Sequence, residues 1–563
     1  MKKLKYAWVI LCVFIGLPAK AYDQEFDYFI EVSNAELLRR DPELALIHQV
    51  HEEIGLLSPG ITPISLQYKA KTLALYVKVL AKLKSFDRRK LSEVQKVDYD
   101  YYLWFLKNYL SVEGQPQFRV NAFTAISAWY VFQSFNLDDV SGVENYLAQM
   151  KRLPSYYSSI NSWLSVRARL GIIDDKETVI WVSDTLEFWN EVPEQDNIYL
   201  LFESAVNEMA VSDLQKEEWL LQCKDILANQ IAPARAKVSS KLLKLLPNAP
   251  ENPGFSQYPG GNEFYNRLLS RFVGLPQDAH EAHQIGIAAL KDIHTEIYSE
   301  FESLGYDVSN DLPTLYEMAR RDSPQIARED VLSVFKTLLD EAAGKSAGLF
   351  PDFQYPELEF IESLGYGYRQ ASGGESAVIF VDTSVDTTLL ELPGFVYHEG
   401  IPGHHAQFSF TGNLDLPLFR SITNISGFSE GWGLYAERLA FEQGWHDNNP
   451  YGNLGRLQAE ARRAARLVVD TGINAKGWDL TEAEEYFSQA TGLVEWEVFK
   501  DLNRFVFHPG QASSYHIGFT HILQLRQKEQ EKVNFDIKEF HGKILKNGVI
   551  PLSLLSDQFS GSQ

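Results

Sequence analysis

The chain has 563 residues, 45% hydrophobic and 13% aromatic, which excludes intrinsic disorder and supplies enough apolar surface for more than one core. Its formal net charge of -23 argues against a nucleic-acid partner, since polyanion binding relies on clustered lysine and arginine. With only two cysteines, Cys12 and Cys223, stability must come from size and not from disulfides.

Residues 1–21 read as a cleaved secretory signal. Lys2, Lys3 and Lys5 precede an apolar run from Tyr6 to Leu17, and Ala19-Lys20-Ala21 offers the small residues a signal peptidase needs. The run is too short for a comfortable membrane span, and no other uninterrupted apolar stretch is long enough to cross one. Cleavage would remove four lysines and no acids, leaving the mature chain more acidic still and Cys223 as its lone thiol. A periplasmic or secreted protein is expected. Lipid anchoring at Cys12 is disfavoured because Leu11 is a poor neighbour for that processing.

From Asn34 to about Leu246 apolar residues recur at three- and four-residue spacing, so residues 22–246 are expected to form a helical N-terminal region. Tyr99, Tyr101, Tyr102, Trp104 and Phe105 fall on one of these helices, where helix packing is the first expectation and a cleft lining the second. Pro247, Pro250, Pro253, Gly254, Pro259, Gly260 and Gly261 mark 247–261 as a linker or loop. Helical pattern resumes at Asn262 and runs to about Ala343. His280 and His283 lie there beside Glu281, but with no third ligand near in sequence a solvated helix face is expected. The period then changes: Leu358-Glu359-Phe360 and Ala377-Val378-Ile379-Phe380-Val381 read as strands about a turn at Gly373-Gly374. Helix returns at Glu391, with Pro393 in the first turn where its missing N–H costs little. The predicted fold is mainly α, with a small β-sheet near the site, and 262–563 is its metal-binding catalytic region.

Seven of the 13 histidines fall between His398 and His521, and the first of them opens the stretch HEGIPGHH, His398 to His405. A catalytic zinc needs three protein ligands, an open position for water and a carboxylate to accept the water's proton. His398 and Glu399 begin the helical motif His-Glu-x-x-His, but its closing position holds Pro402. On an undistorted helix His404 would lie about 240° round from His398, and His405 about 10 Å along the axis. Pro402 and Gly403 are residues that break or bulge a helix. If Gly400 to Gly403 absorb two extra residues, His404 takes the ligand place and His405 points to the second shell or the substrate. Helix geometry favours His404, with His405 the alternative, and a plain helix end with histidines capping carbonyls is the bland reading. The third ligand is expected from the segment Gly427 to Glu437. Glu430 is preferred because Gly431 and Gly433 permit close helix approach, and Glu437 lies seven residues later on the same face.

HEGIPGHH, then FSEGWGLYAE, then RLVVDTGINAKGW from Arg466 to Trp478, then PGQASSYHIG from Pro509 to Gly518 with Arg526 beyond, occur in order. Together they resemble the successive signatures of the bacterial family called domain of unknown function 885, over essentially the whole mature chain. That family resembles, more distantly, the gluzincin metallopeptidases, including the mainly helical oligopeptidases and Taq-type carboxypeptidases with zinc deep in a cleft. The resemblance implies a zinc peptidase acting on short peptides, with carboxypeptidase action as one form. By position it makes His398, His404 and Glu430 the ligands and Glu399 the base. Tyr515 would hydrogen-bond the tetrahedral oxyanion. Asp470 would hold a ligand imidazole in its tautomer, and Arg526 would bind the carboxylate of a peptide C-terminus unless an ion pair occupies it. Strand Ala377 to Asp382 could take an extended substrate by edge addition unless its edge is buried. His516 stands where the family more often shows lysine.

The leading expectation is therefore a secreted zinc-dependent peptidase. The others are a zinc amidase or other small-molecule hydrolase, and a non-catalytic periplasmic binding protein. Against the last stands Glu399, which a purely structural zinc site would not need.

Overall fold

The computed structural model describes residues 18–370 and 376–560, with side chains from residue 22. Residues 1–17, with most of the expected leader and Cys12, and the turn Gly373-Gly374 lie outside the described residues. The fold is mainly α, as the apolar spacing predicts, with a few short strands. Among the described residues, no helix is long and apolar enough to cross a membrane.

Three large hydrophobic cores account for the packing. One joins the earliest helices to the C-terminal half, placing Phe26, Tyr101 and Leu106 with Phe419, Trp432 and Leu525. A second is built within the N-terminal region from residues such as Tyr157, Trp163, Leu186 and Phe202. A third unites Ile297 and Phe301 with Leu457, Val468, Phe487 and Phe505. The N-terminal helices thus divide between two cores. Helix α1, Glu93–Glu113, opens with a capping box between Ser92 and Gln95 and buries Tyr101 and Tyr102 completely, as packing residues and not as a cleft lining. The loop 247–261 is packed against the C-terminal half, where the Ser256 N–H donates to the Asn474 carbonyl at 2.9 Å.

Helix resumes at Gly261, and α2, Ala279–Ser303, carries the paired histidines. His283 is not on a solvated face. It is buried against α2's neighbour, with Nδ1 2.8 Å from Thr471 Oγ1 and 3.1 Å from the Val468 carbonyl, and burial pushes its pKa down to about 4.

Strands β1, Glu357–Ser363, β2, Gly367–Gln370, and β3, Ser376–Asp382, form one sheet in the order β1-β3-β2. β3 runs parallel to β1 and antiparallel to β2. The strand from Ala377 to Asp382 is therefore central, with both edges paired, which corrects the expectation that it could receive a substrate strand. β2, too short and glycine-rich to read as a strand from its sequence, is an edge. The remaining elements carry the site: α3, Leu392–Glu399, α4, His404–Gly412, α5, Ser426–Glu442, α6, Pro450–Thr471, α7, Glu495–Phe507, and α8, Ser514–Gln530.

One buried ion pair clamps the earliest helices to this assembly. Arg420 Nη1 lies 2.6 Å from Asp98 Oδ1, with both side chains almost fully buried. Removing one partner of such a pair strands a charge and typically costs about 3–5 kcal/mol. Asp98→Ala is expected to lower the thermal-unfolding midpoint by a corresponding amount, and an unchanged midpoint would show that the clamp contributes nothing.

Candidate metal centre

Helix α3 ends at Glu399, and α4 begins at His404. The four residues between them form a tight turn with a cis Ile401–Pro402 peptide. The expected distortion is thus a full break, made possible at Gly403, where a Cβ would meet the His398 carbonyl oxygen at 1.9 Å. Trp432 of α5 braces the turn, its Nε1–H donating to the Pro402 carbonyl at 3.1 Å.

The break turns His404 inward. Donor atoms of His398, His404 and Glu430 all lie within 4.8 Å of one another. Glu430 Oε2 stands 3.4 Å from His398 Nε2 and 3.5 Å from His404 Nε2. His405 is elsewhere: its Nδ1 lies 3.4 Å from Tyr368 Oη, its ring stacks near Tyr355, and it does not line the cleft. Burial pushes its pKa down to about 4, so it is a neutral core histidine where a substrate contact was the alternative expectation.

Both imidazoles are oriented from behind. His398 Nδ1 lies 2.7 Å from Glu437 Oε1, and His404 Nδ1 3.1 Å from Gln407 Oε1. An acceptor at Nδ1 keeps a proton on that nitrogen and makes Nε2 the ring atom that faces Glu430. Helix α5 supplies both carboxylates because its backbone runs against the His398 ring. At Gly433 a Cβ would lie 2.5 Å from His398 Cε1.

Burial alone would lower the His398 pKa, yet the carboxylates of Glu430 and Glu437 push it up to about 10. Burial likewise opposes ionisation of Glu430, but His398 and His404 hold it well below the ordinary carboxylate range. Both shifts have one cause: a buried carboxylate facing two imidazole nitrogens favours positive charge between them. Two neutral nitrogens and one carboxylate are also the ligand set of a catalytic zinc. The donor set fits that ion.

The three donors line a cleft of about 1120 Å³ that also takes in Glu399, Tyr515 and residues 365–368, which lead into and begin β2. Glu399 is the last residue of α3 and half-buried. The Tyr515 hydroxyl accepts from Arg504 Nη2 at 3.0 Å.

Two expected residues take other parts. Asp470 touches no ligand imidazole: it accepts from the Gly510 N–H at 2.9 Å, Ser513 Oγ at 2.8 Å and Asn474 Nδ2 at 3.0 Å, and burial raises its pKa to about 6. It anchors the turn that delivers Tyr515. Arg526 does not line the cleft, because Glu442 (2.8 Å) and the Tyr435 hydroxyl (3.2 Å) occupy its guanidinium. His516 is buried on α8, and burial pushes its pKa down to about 4. The sequence reading missed the cleft's cations: Arg320 and Arg321, and the closer set of Arg462, Arg463 and Arg466 on α6 with Lys500 and Arg504 on α7. Their signal is there: RRAAR and the spacing Glu497, Asp501, Arg504 each put charges on one helix face.

The family model for bacterial proteins of unknown function, DUF885, matches residues 52–559. The fold is similar to that of a candidate lipoprotein from Colwellia psychrerythraea, at 22% identity and a TM-score of 0.86, covering 96% of this chain and 98% of that one. It is also similar to a candidate lipoprotein of unknown function from Shewanella oneidensis, at 17% identity and a TM-score of 0.76, covering 94% and 99%. These likenesses establish a shared fold. No curated protein matches the chain.

Two predictions concern the metal alone. Glu437→Gln is expected to weaken zinc binding roughly 10- to 100-fold, the usual cost of losing a ligand's supporting carboxylate; unchanged affinity would remove Glu437 from that role. Because the metal-free His398 holds its proton up to about pH 10, zinc must displace that proton at neutral pH. Apparent affinity should then rise about tenfold per pH unit between pH 6 and 8, and a competition titration that is flat over this range would contradict it.

Proposed function

Starting from a chain that belongs to the bacterial DUF885 family, we propose a zinc-dependent peptidase that hydrolyses short peptides. The observation that carries this reading is the convergence of His398, His404 and Glu430 within 4.8 Å in the wall of a large cleft. Three ligands opening on a cleft suit a catalytic ion, whereas a structural zinc is normally closed by four. The volume of about 1120 Å³ favours a peptide over a small amide.

When bound, zinc supplies Lewis acidity that polarises a carbonyl and makes water a nucleophile near neutral pH. Glu399, adjacent to His398 and lining the cleft, accepts the proton of the attacking water. Water adds to the scissile carbonyl carbon, the C–N bond breaks, and Glu399 returns the proton to the departing amine. In this reading Tyr515 serves the oxyanion, supported by its hydrogen bond: a guanidinium can only donate, so the phenol oxygen accepts from Arg504 and its own proton remains available. The expected setting is outside the cytoplasm, consistent with the leader-like residues 1–21.

Peptide-library digestion read by mass spectrometry, with and without chelator, tests metal and bond together. Cleavage should require zinc at about one ion per chain, and chelator-insensitive cleavage would sink the reading. Glu399→Gln should retain zinc and lose turnover about 100- to 10,000-fold. Retained turnover would place the base elsewhere.

A further inference from the structure

The cleft wall formed by α6 and α7 carries more positive charge than the hydrolytic step uses. Arg462 Nε lies 2.6 Å from Asp501 Oδ2, and its Nη1 lies 3.0 Å from Glu497 Oε1. Arg466 takes the other oxygen of Asp501 at 2.8 Å. Burial opposes ionisation of Asp501, yet Arg466 and Arg462 hold its pKa down to about 2. Arg463 leans on Glu437 at 3.6 Å, a carboxylate already committed to His398. Arg504 differs from all of these. Among the described residues no carboxylate lies within 4.0 Å of it, and its hydrogen bonds go to the neutral Gln511 Oε1 and Tyr515 hydroxyl. Asp501 and Glu430 act on it only from beyond ion-pair distance, so this half-buried guanidinium faces the cleft with no carboxylate in direct contact.

The position of this open charge points to its partner. The guanidinium carbons of Arg466 and Arg504 lie 5.2 and 5.3 Å from the centre of the Tyr515 ring. An anion held there sits next to the phenol assigned to the scissile carbonyl's oxyanion. In a peptide, the group that lies one residue beyond a scissile bond and carries a planar negative charge is the terminal carboxylate of the last residue. Guanidinium matches carboxylate with two parallel hydrogen bonds, which an ammonium cannot do.

We propose that Arg504, seconded by Arg466, binds the C-terminal carboxylate of the substrate, so that the protein removes residues from the free C-terminus of a peptide. This rests on the peptidase reading and narrows it. It also moves the carboxylate contact from Arg526, outside the cleft, to α7.

The test separates the two claims by measuring binding apart from turnover. Zinc-loaded Glu399→Gln protein is titrated calorimetrically with N-acetyl-Ala-Ala-Phe as free acid, the same peptide as C-terminal amide, and N-acetyl-Ala-Ala-Glu amide. The free acid should bind about 30-fold more tightly than its amide, the range of a charged hydrogen bond. Adding Arg504→Gln should abolish that preference while leaving the amide within about threefold. Arg504→Lys, which keeps a cation without the planar fork, guards against a folding defect and should leave a preference below about tenfold. Equal binding of acid and amide by Glu399→Gln, or a preference that survives both Arg504 substitutions, overturns the proposal. Binding of the Glu amide as tight as that of the free acid overturns it in favour of an acidic side chain. If the unsubstituted zinc protein cleaves neither peptide while the acid preference holds and depends on Arg504, the peptidase reading fails and the carboxylate site stands.

Discussion

The site depends on how closely the backbone of α5 approaches the His398 ring. With no Cβ at Gly433, the helix lies flat against the imidazole, and its residues on either side reach both ring nitrogens. Glu430 faces Nε2 at 3.4 Å and Glu437 faces Nδ1 at 2.7 Å. Seven residues of helix rise about 10 Å, enough to bracket a ring and the space beside it. The opposite face of α5 is equally bare: a Cβ on Gly431 would lie 2.5 Å from the Gly518 carbonyl carbon of α8. The glycines therefore close a stack of His398, α5 and α8. The same α8 carries Tyr515 in its first turn, so one packing constraint relates the three-donor cluster to the proposed oxyanion donor.

A second constraint is electrostatic. The protein is strongly acidic overall, yet the cleft beside Tyr515 is walled by arginines from α6 and α7. Asp501 and Glu497 neutralise part of that charge and fix the guanidinium planes; they do not cancel it. Burial, with neighbouring arginines adding to it, lowers the Arg466 pKa to about 10, a sign of how crowded with positive charge the wall is. The rest of the cleft lining carries Asp382, Asp386, Glu391 and Glu399, so positive charge is concentrated on this one wall and gives the cleft a polarity from side to side. Placement of Tyr515 belongs to the same wall: Asp470 of α6 ties down Gly510 and Ser513, and Arg504 of α7 holds the phenol oxygen.

What was legible in the sequence was what local pattern encodes. Helical spacing announced the mainly α fold, and Pro393 and the Pro402-Gly403 pair marked a helix start and a helix break. Gly431 and Gly433 marked α5 as the helix that comes close. The pairing of strands was not legible, because β2 spans only four residues and its register comes from β3. Nor was the destination of long polar side chains. Asp470 and Arg526 sit in suggestive motifs, but whether a carboxylate meets an imidazole or a backbone N–H depends on packing between helices far apart in the chain. Arg504 shows the converse: an ordinary arginine in an amphipathic helix, distinguished only by having, among the described residues, no carboxylate within ion-pair distance of its guanidinium.

The break between α3 and α4 gives this arrangement its character. On a continuous helix, two histidines four apart would be related by helix geometry alone, and the metal position would follow from secondary structure. Here His404 starts a helix of its own, so its relation to His398 is set by the turn, and the turn is held by tertiary contacts. Trp432 donates to Pro402 from the helix that supplies Glu430, so the residue that fixes the turn before His404 is two positions from Glu430. Ending α3 at Glu399 also releases that carboxylate from the helix side and leaves it half-buried at the cleft. A three-donor cluster assembled in this way has a carboxylate at a helix end beside it, and its geometry is only as rigid as the packing of α5 against both halves of the broken helix.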